Sequence, residues 1–566
     1  MPHHLGPASR KRAIERIRTE EFDVLVIGAG VTGAGCALDA ASRGLTVAVV
    51  EQRDLASGTS SRSSKLIHGG LRYLEQLNFR LVREALRERS LLIQHLAPHL
   101  VRPVQFLYPL RHRIWERLYV GTGIALYDFL AKLGGNPLPR HRHLSRSGAL
   151  RAIPSLSKDS LVGGIQYYDA QVDDARHTLA VTRTAAANGA AVATSMRVTG
   201  LVRSNGRIVG AEATCLETGD QLEIRARHII NATGVWTDAV ETMAGNTQVD
   251  VTASKGIHLV VPRDRIAGDS GMIIKTKTSV LFLIPWRNHW LIGTTDTTWN
   301  LDLAHPAASA ADIDYLLRHI NEVLQEPLTK DDVQGVYAGL RPLLTGESDA
   351  TSKLSREHGV WHTAPGLTTV AGGKYTTYRV MAQDTVDAAV QDLGGPIPAS
   401  ATAELPLVGA DGYQAMWNRR QSIAAESGLT VLQIERLLSR HGTLATEVLG
   451  IITARPELAA ALPGSDDYLL AEAVYAVVAE SALHLDDVLT RRTRISIEAW
   501  DRGIAAGEAI APLMAELLGW DDTDIERELE HYAARVAAER ESQTKSDDRT
   551  ADAARLGAPD VRRMGQ

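Results

Sequence analysis

Cysteine is almost absent from this 566-residue chain: Cys36 and Cys215 are its only two. That excludes a disulfide framework and any cysteine-rich metal site, and fits a reducing compartment. No apolar run is long enough to cross a membrane. The longest, Leu118 to Leu133, is interrupted by Thr122, Asp128 and Lys132 and falls short of the roughly 20 residues a spanning helix needs. A secretory signal is missing too, because no apolar core follows Arg10, Lys11, Arg12, Arg16 and Arg18 before the fold begins. Excess charge of one sign is lacking: 61 basic against 67 acidic residues leave a net −6, so the field of the whole molecule attracts neither nucleic acid nor anionic lipid, and any anion site must be local. There is no GxSxG elbow to suggest a serine hydrolase. His3-His4 and the His141-Arg-His143 run lack ligand spacing on one element, so no metal is expected. What the chain does have is core. Its 44% apolar and 23% charged residues are close to a globular average.

The order of local signals divides the chain. Residues 1–20 form a basic lead-in. Residues 23–51 read as strand, glycine turn, Ala-rich helix and second strand, one βαβ unit. A small-residue loop follows at 56–64, and the apolar spacing at 78–97 predicts an amphipathic helix. From 197 to 230 two turn signals, Ser204-Asn205-Gly206 and Thr218-Gly219-Asp220, predict a three-strand meander. Further strands are expected at 257–261, 280–286, 290–294 and 367–371, and a helix at 376–390. Composition shifts near Ala401, after which helical spacing dominates to residue 540. The polar stretch 541–566 is expected to be disordered. The predicted architecture is α/β: a Rossmann-like dinucleotide-binding domain interleaved with a β-rich substrate domain over residues 21–400, and an all-α domain over 401–540.

The chemistry starts at Gly28-Ala-Gly30-Val-Thr-Gly33, which lies directly between an apolar strand and a helix, the context a dinucleotide fingerprint requires. Gly28 allows the tight turn, Gly30 lets backbone approach a pyrophosphate, and Gly33 lets helix and strand pack closely. Glu51, at the end of the second strand, is placed to accept hydrogen bonds from ribose hydroxyls, and its charge disfavours a 2′-phosphate. The hydroxyl-rich loop after it and the later Asn231-Ala232-Thr233-Gly234-Val235-Trp236 favour FAD over NAD. No second GxGxxG follows a strand, so the electrons are expected to leave for something other than NAD.

The run Ser60-Ser61-Arg62-Ser63-Ser64-Lys65-Leu66-Ile67-His68-Gly69-Gly70-Leu71-Arg72-Tyr73-Leu74-Glu75 resembles the signature of the FAD-dependent respiratory glycerol-3-phosphate dehydrogenases. Residues 168–176, 284–286 with 292–296, 339–343 (Gly-Leu-Arg-Pro-Leu) and 372–379 (Gly-Gly-Lys-Tyr-Thr-Thr-Tyr-Arg) match that family as well, and the helical part resembles its second domain. The first twenty residues and the tail match least. The resemblance implies oxidation of sn-glycerol 3-phosphate to dihydroxyacetone phosphate, with FAD reduced and the electrons passed to a membrane quinone. It also implies a peripheral protein on the cytoplasmic face of the inner membrane, with no nucleic-acid partner and a homodimer left open. An oxidase using oxygen, an amine oxidase and a non-catalytic flavoprotein of the membrane surface are the rivals.

The same resemblance assigns Arg72, Arg341, Arg356 and Lys374 to the substrate phosphate, with Tyr73 as a hydroxyl donor. His258 and His68 are the candidate bases. His258 is favoured because His68 lies in the loop that wraps the cofactor. Arg341 is a poor proton acceptor and a good stabiliser of developing negative charge. The expected FAD contacts are Gly28, Gly30, Gly33 and Glu51; then Thr59, Ser60, Ser61, Ser64, Lys65, Leu66, His68, Gly69 and Gly70; then Ala232, Thr233 and Gly234; and Lys374, Tyr375 and Thr376. The basic, Trp-bearing start of residues 111–133 and its apolar continuation suggest a helix lying in a membrane interface.

Overall fold

Two sheets organise the chain. A computed structural model describes all residues except 76–77, 113, 136, 246–247, 277–279, 345–357 and 563–566, together with all side chains of the remainder but Arg72 and Glu75. Arg356 therefore lies outside the described residues, as does the side chain of Arg72. The first sheet has eight strands. Its heart is a parallel array in the order Leu367–Gly372, Gln221–Asn231, Glu21–Ile27, Val47–Val50 and Ala191–Ala193. Chain order reverses between Glu21–Ile27 and Gln221–Asn231, so the crevice for a ligand opens at the carboxyl ends of those two strands. The meander expected at 197–230 is present as Met196–Ser204, Arg207–Cys215 and Gln221–Asn231. The basic lead-in is more ordered than its composition suggests: Pro7 starts a helix, Pro7–Thr19, which buries Ala13 and Ile17 in the core beneath the sheet.

The second sheet, of ten strands, carries the expected Val251–Pro262, Val280–Trp286 and His289–Gly293. It also contains three long strands that alternation alone does not reveal: Val101–Leu110, Gly163–Val172 and Gly335–Leu344. Pro103, Pro109, Gly163, Gly164, Gly339 and Pro342 break their sequence pattern, because Pro and Gly ordinarily argue against a strand interior.

The helical domain docks on this body through buried ion pairs. Arg176 and Arg183 both reach Glu480, at 2.6 and 3.3 Å. Arg492 reaches Asp54 at 2.6 Å, and Arg494 reaches Asp173 at 2.6 Å and Asp174 at 2.5 Å. One expectation is overturned. Residues 541–562 are ordered: Asp547 caps a helix, Asp548–Arg555, by accepting from the Thr550 N–H, and Arg562 is buried against Asp487 at 2.9 Å. Polar composition misleads here because the charges are paired and buried in place of apolar side chains.

Candidate active site

A cavity of about 680 Å³ opens at the switch point of the first sheet and runs onto the face of the second. Its first wall is the fingerprint. Gly28 has φ +100°, and a Cβ there would meet the Ala232 carbonyl oxygen at 2.8 Å, while one at Gly33 would meet the Gly28 oxygen at 2.0 Å. Gly33 thus serves the packing of helix on strand and does not line the cavity. At Gly30 a Cβ would approach only Ser60 Oγ, at 3.3 Å, so the backbone there faces open space. Ser60 Oγ accepts from the Val31 N–H at 2.9 Å, which fixes the loop against the start of the helix. Glu51 accepts from the N–H groups of Ala29 and Arg53, both at 2.9 Å, and burial lifts its carboxyl above the usual range despite them.

The second wall is the signature loop. Thr59, Ser60, Ser64, Leu66, His68 and Tyr73 line the cavity, as do Ala232, Thr233 and Gly234 from the second motif. Thr59 Oγ1 donates to the Leu340 carbonyl at 2.6 Å, and the His68 N–H donates to Thr376 Oγ1 at 3.1 Å. Ser61, Lys65, Gly69 and Gly70 do not line it. Lys65 is turned inward and fully buried, donating to Asp174 at 2.8 Å. Gly69 donates its N–H to the Tyr127 hydroxyl, and Gly70, at φ +80°, leaves room for the Tyr73 ring, which a Cβ would strike at 2.3 Å. The loop does form a wall of the cavity, but its composition cannot say which of its side chains point away.

The third wall is chemical. His258, on Val251–Pro262, pairs across the sheet with Gly293 on one side and Tyr337 on the other. Its ring stacks on Tyr337 with centroids 4.8 Å apart, and a Cβ on Gly293 would strike it at 2.3 Å. Nε2 lies 2.9 Å from Ser64 Oγ, while Nδ1 is buried with no hydrogen-bond partner. Burial first, then the charges of Arg341 and Lys65, hold this imidazole well below its ordinary pKa, so it is neutral at physiological pH. Arg341 pairs with Ser254, four residues from His258 on the neighbouring strand, and so points to the same face. Thr294 Oγ1 accepts from its Nη2 at 3.0 Å and Asp296 from its Nη1 at 3.3 Å, and Gly256 leaves space for the guanidinium, since a Cβ would meet Nη2 at 2.5 Å. Lys374 follows Gly372 and Gly373, both at positive φ, and its Nζ stands 3.4 Å over the Tyr73 ring centroid. Tyr375 and Thr376 complete the lining, although the Tyr375 hydroxyl donates away from it, to the Asp174 carbonyl at 2.7 Å.

The structure thus gathers His258, His68, Arg341, Lys374 and Tyr73 with the fingerprint in one cavity. Thr294 and Asp296, which aim Arg341, and Tyr337, which supports His258, carry no sequence signal beyond lying in or near matching segments. Among the described residues, two groups with metal-compatible geometry also form, His3 with His4 and Glu447, and His228 with His362 and Asp392. None of these residues lines the cavity, and sequence spacing hides them because each joins distant segments.

A cavity of this size suits a dinucleotide-class ligand, and the open backbone at Gly30, the Glu51 carboxylate and the hydroxyl-rich loop fit FAD. Residues 23–379 match the FAD dependent oxidoreductase family, and residues 400–525 match the C-terminal domain of alpha-glycerophosphate oxidase. Fold and site together define an FAD-dependent oxidoreductase with an appended helical domain, and FAD is its cofactor. A Glycerol-3-phosphate dehydrogenase 2 of Mycobacterium tuberculosis is 55% identical over 559 residues, covering 99% of this chain and 95% of that protein. The mitochondrial glycerol-3-phosphate dehydrogenase of Homo sapiens is 37% identical over 557 residues, covering 94% of this chain and 75% of that protein. The solved glycerol-3-phosphate dehydrogenase from Bacillus halodurans, complexed with FAD, superposes with a TM-score of 0.77 at 30% identity, covering 93% of this chain and 97% of the other. The chain belongs to the FAD-dependent glycerol-3-phosphate dehydrogenase family.

Proposed function

We propose that the protein oxidises sn-glycerol 3-phosphate to dihydroxyacetone phosphate and delivers the electrons to a membrane quinone. The observation that carries this reading is a single cavity in which a neutral, buried histidine stands near Arg341, shares the lining with Lys374 and opens onto the dinucleotide fingerprint. FAD, when bound, supplies the hydride acceptor. Gly28 and Gly30 leave the start of the helix Val31–Ser42 open to a pyrophosphate, and Glu51 takes ribose hydroxyls. Arg341 and Lys374 hold the phosphate dianion, the first by a planar fork and the second as a point charge. Arg72, Arg356 and Tyr73 keep their phosphate assignments on the resemblance. His258 takes the proton of the C2 hydroxyl. The Ser64 hydroxyl, 2.9 Å from Nε2 on the cavity wall, holds the ring in place for that transfer. Stacking on Tyr337 keeps the ring from turning, and Arg341 steadies negative charge developing on the oxygen.

The test is anaerobic. Glycerol 3-phosphate should bleach the bound flavin, while glycerol and an amino acid should not. Bleaching by the amino acid, or none by glycerol 3-phosphate, would sink the reading. The match to an oxidase C-terminal domain gives the oxygen-using alternative its footing, and the same reduced sample separates the two: reoxidation by air as fast as by a quinone analogue would favour the oxidase.

The membrane part of the proposal rests on the helix Trp115–Leu133. Its inner face buries Ile124, Tyr127 and Ala131, with the Tyr127 hydroxyl on the signature loop. Its outer face leaves Trp115, Leu118, Phe129 and Leu133 at 61%, 67%, 59% and 60% exposure, and Arg111, Arg140 and Arg142 are exposed near its ends. No helix among the described residues is long and apolar enough to cross a membrane, but an apolar face flanked by arginines can lie among headgroups and acyl chains, where a quinone dissolves. Leu118→Asp with Phe129→Asp should abolish sedimentation with anionic vesicles and leave reduction by glycerol 3-phosphate intact. If the double variant sediments like the parent, this helix is not the contact.

A further inference from the structure

We propose a second ligand site, for a small oxyanion such as inorganic phosphate, in a separate pocket of about 100 Å³ where the cofactor loop, the helical domain and the C-terminal segment meet. Seven arginines line this pocket (53, 62, 491, 494, 535, 555 and 562) against three carboxylates, Asp486, Glu528 and Asp560.

Close pairing accounts for four of the seven. Arg494 is neutralised by Asp173 and Asp174, Arg491 by Asp54, Asp486 and Asp487, and Arg562 by Asp487. Arg535 pairs with Asp486 and Glu539, whereas Arg555 has Glu539 only at 3.9 Å and His305 Nδ1 at 3.2 Å. Arg53 and Arg62 sit on or beside the cofactor loop. Arg53 is only 5% exposed, donates from Nη1 to the Ala304 carbonyl at 3.2 Å, and has one long ion pair, to Asp560 at 3.7 Å. Arg62 donates to the Ala304 carbonyl at 3.2 Å, and no carboxylate lies within ion-pair distance of it among the described residues. Burial, then the charges of Arg53, Arg535, Arg491 and Arg555, pull the Arg62 guanidinium down to about 9, the signature of a cation held among cations. A bound dianion would relieve that repulsion with charge-assisted hydrogen bonds.

The volume is that of a few water molecules, which admits a tetrahedral oxyanion and excludes a nucleotide. Arg53 and Arg62 also line the large cavity, so an anion here would tie the C-terminal segment to the cofactor loop across about 500 residues of sequence and stabilise the folded, loaded enzyme by linkage.

The experiment is a thermal titration of FAD-saturated holoenzyme with phosphate, against chloride at matched ionic strength. The expected result is a saturable rise in Tm of roughly 1–3 °C with phosphate only, lost in Arg62→Gln and retained in Lys374→Ala. No saturable rise in the parent would overturn the site, and so would a rise kept by Arg62→Gln but lost by Lys374→Ala, which would place the phosphate in the substrate position. Should Arg62→Gln fail to fold, Ser496→Asp serves instead. Ser496 lines the pocket from the helical domain and is buried, so its replacement supplies a fixed carboxylate. The phosphate response should vanish in that variant, and its persistence would overturn the proposal.

Discussion

Replacing His258 tests the chemistry most directly. The ring stacks on Tyr337 and shares a hydrogen bond between Nε2 and Ser64 Oγ, and it is far from its ordinary pKa because it is buried among cations. His258→Gln keeps a polar group near Ser64 and removes the base. Loss of a general base costs about 10²- to 10⁴-fold, or about 3–5 kcal/mol of barrier, and should appear in the rate of anaerobic flavin reduction. kcat and kcat/KM should fall together, because the proton is transferred only in the transition state. The pH profile adds a second readout. Between its lowered native pKa and the ordinary value near 6.5, the unfolded chain binds a proton at this site that the native protein does not. The native contribution is therefore full above about pH 6.5 and is lost as pH falls below it, so the Gln variant should lose less stability than the parent between pH 7 and pH 5 in urea titrations. A phosphate monoester itself titrates near about pH 6, so an acid limb there should persist in the variant. An unchanged reduction rate in His258→Gln with full flavin content would refute the assignment and move the base to His68 or to solvent.

Three further outcomes follow from the same geometry. Gly30→Val should fold, since a Cβ there meets only Ser60 Oγ, yet purify without flavin because its side chain projects into the space a pyrophosphate needs; a full flavin-to-protein absorbance ratio would contradict this. Arg341→Ala and Lys374→Ala should each weaken glycerol 3-phosphate by roughly 10- to 150-fold, the equivalent of about 1.5–3 kcal/mol for a charged hydrogen bond, with the flavin-to-protein ratio unchanged; loss of flavin from either variant would assign that residue to fold or cofactor. Arg562→Ala should lower stability by about 3 kcal/mol, the low end of the cost of breaking a buried pair, because Asp487 keeps Arg491; a shift below a few tenths of a kcal/mol in chemical denaturation would mean that the C-terminal segment is not docked in solution.

The readable parts of this fold are those where local rules and tertiary structure agree. The βαβ unit, the meander and the helix at 79–91 follow from period and turn residues, and the fingerprint glycines from conformations no other residue adopts cheaply. Gly-Leu-Arg341-Pro-Leu is visible as a motif, but that it lies inside a strand is not, because Gly339 and Pro342 contradict strand propensity. Those two residues are tolerated because the pairing with Val251–Pro262 runs through ten register positions. The orientation of the signature loop is equally hidden. Lys65 and Ser64 are neighbours in sequence, yet one is buried against Asp174 and the other faces His258, and only the surrounding carboxylates and rings decide which is which.

Those carboxylates explain why a helical domain belongs to this enzyme at all. Asp174 sits at the start of the helix Asp174–Ala187 and is fully buried. Its two oxygens accept from the Ser63 N–H and hydroxyl at 2.9 and 2.7 Å, from Lys65 at 2.8 Å and from Arg494 at 2.5 Å. The first three donors belong to the cofactor loop and the fourth to the helical domain, which also donates from Arg494 Nη1 to the Ser61 carbonyl at 3.1 Å. A buried ion cluster of this kind is poor evidence of stability, since apolar packing often does as well, but it defines one geometry because each unsatisfied member would be costly. With Lys65 and Ser63 pinned on one side of the loop, Ser64 is left to meet His258 and Thr59 to meet Leu340. The helical domain thus fixes, from behind, the loop whose front side lines the cavity beside His258, although none of its own described residues lines that cavity.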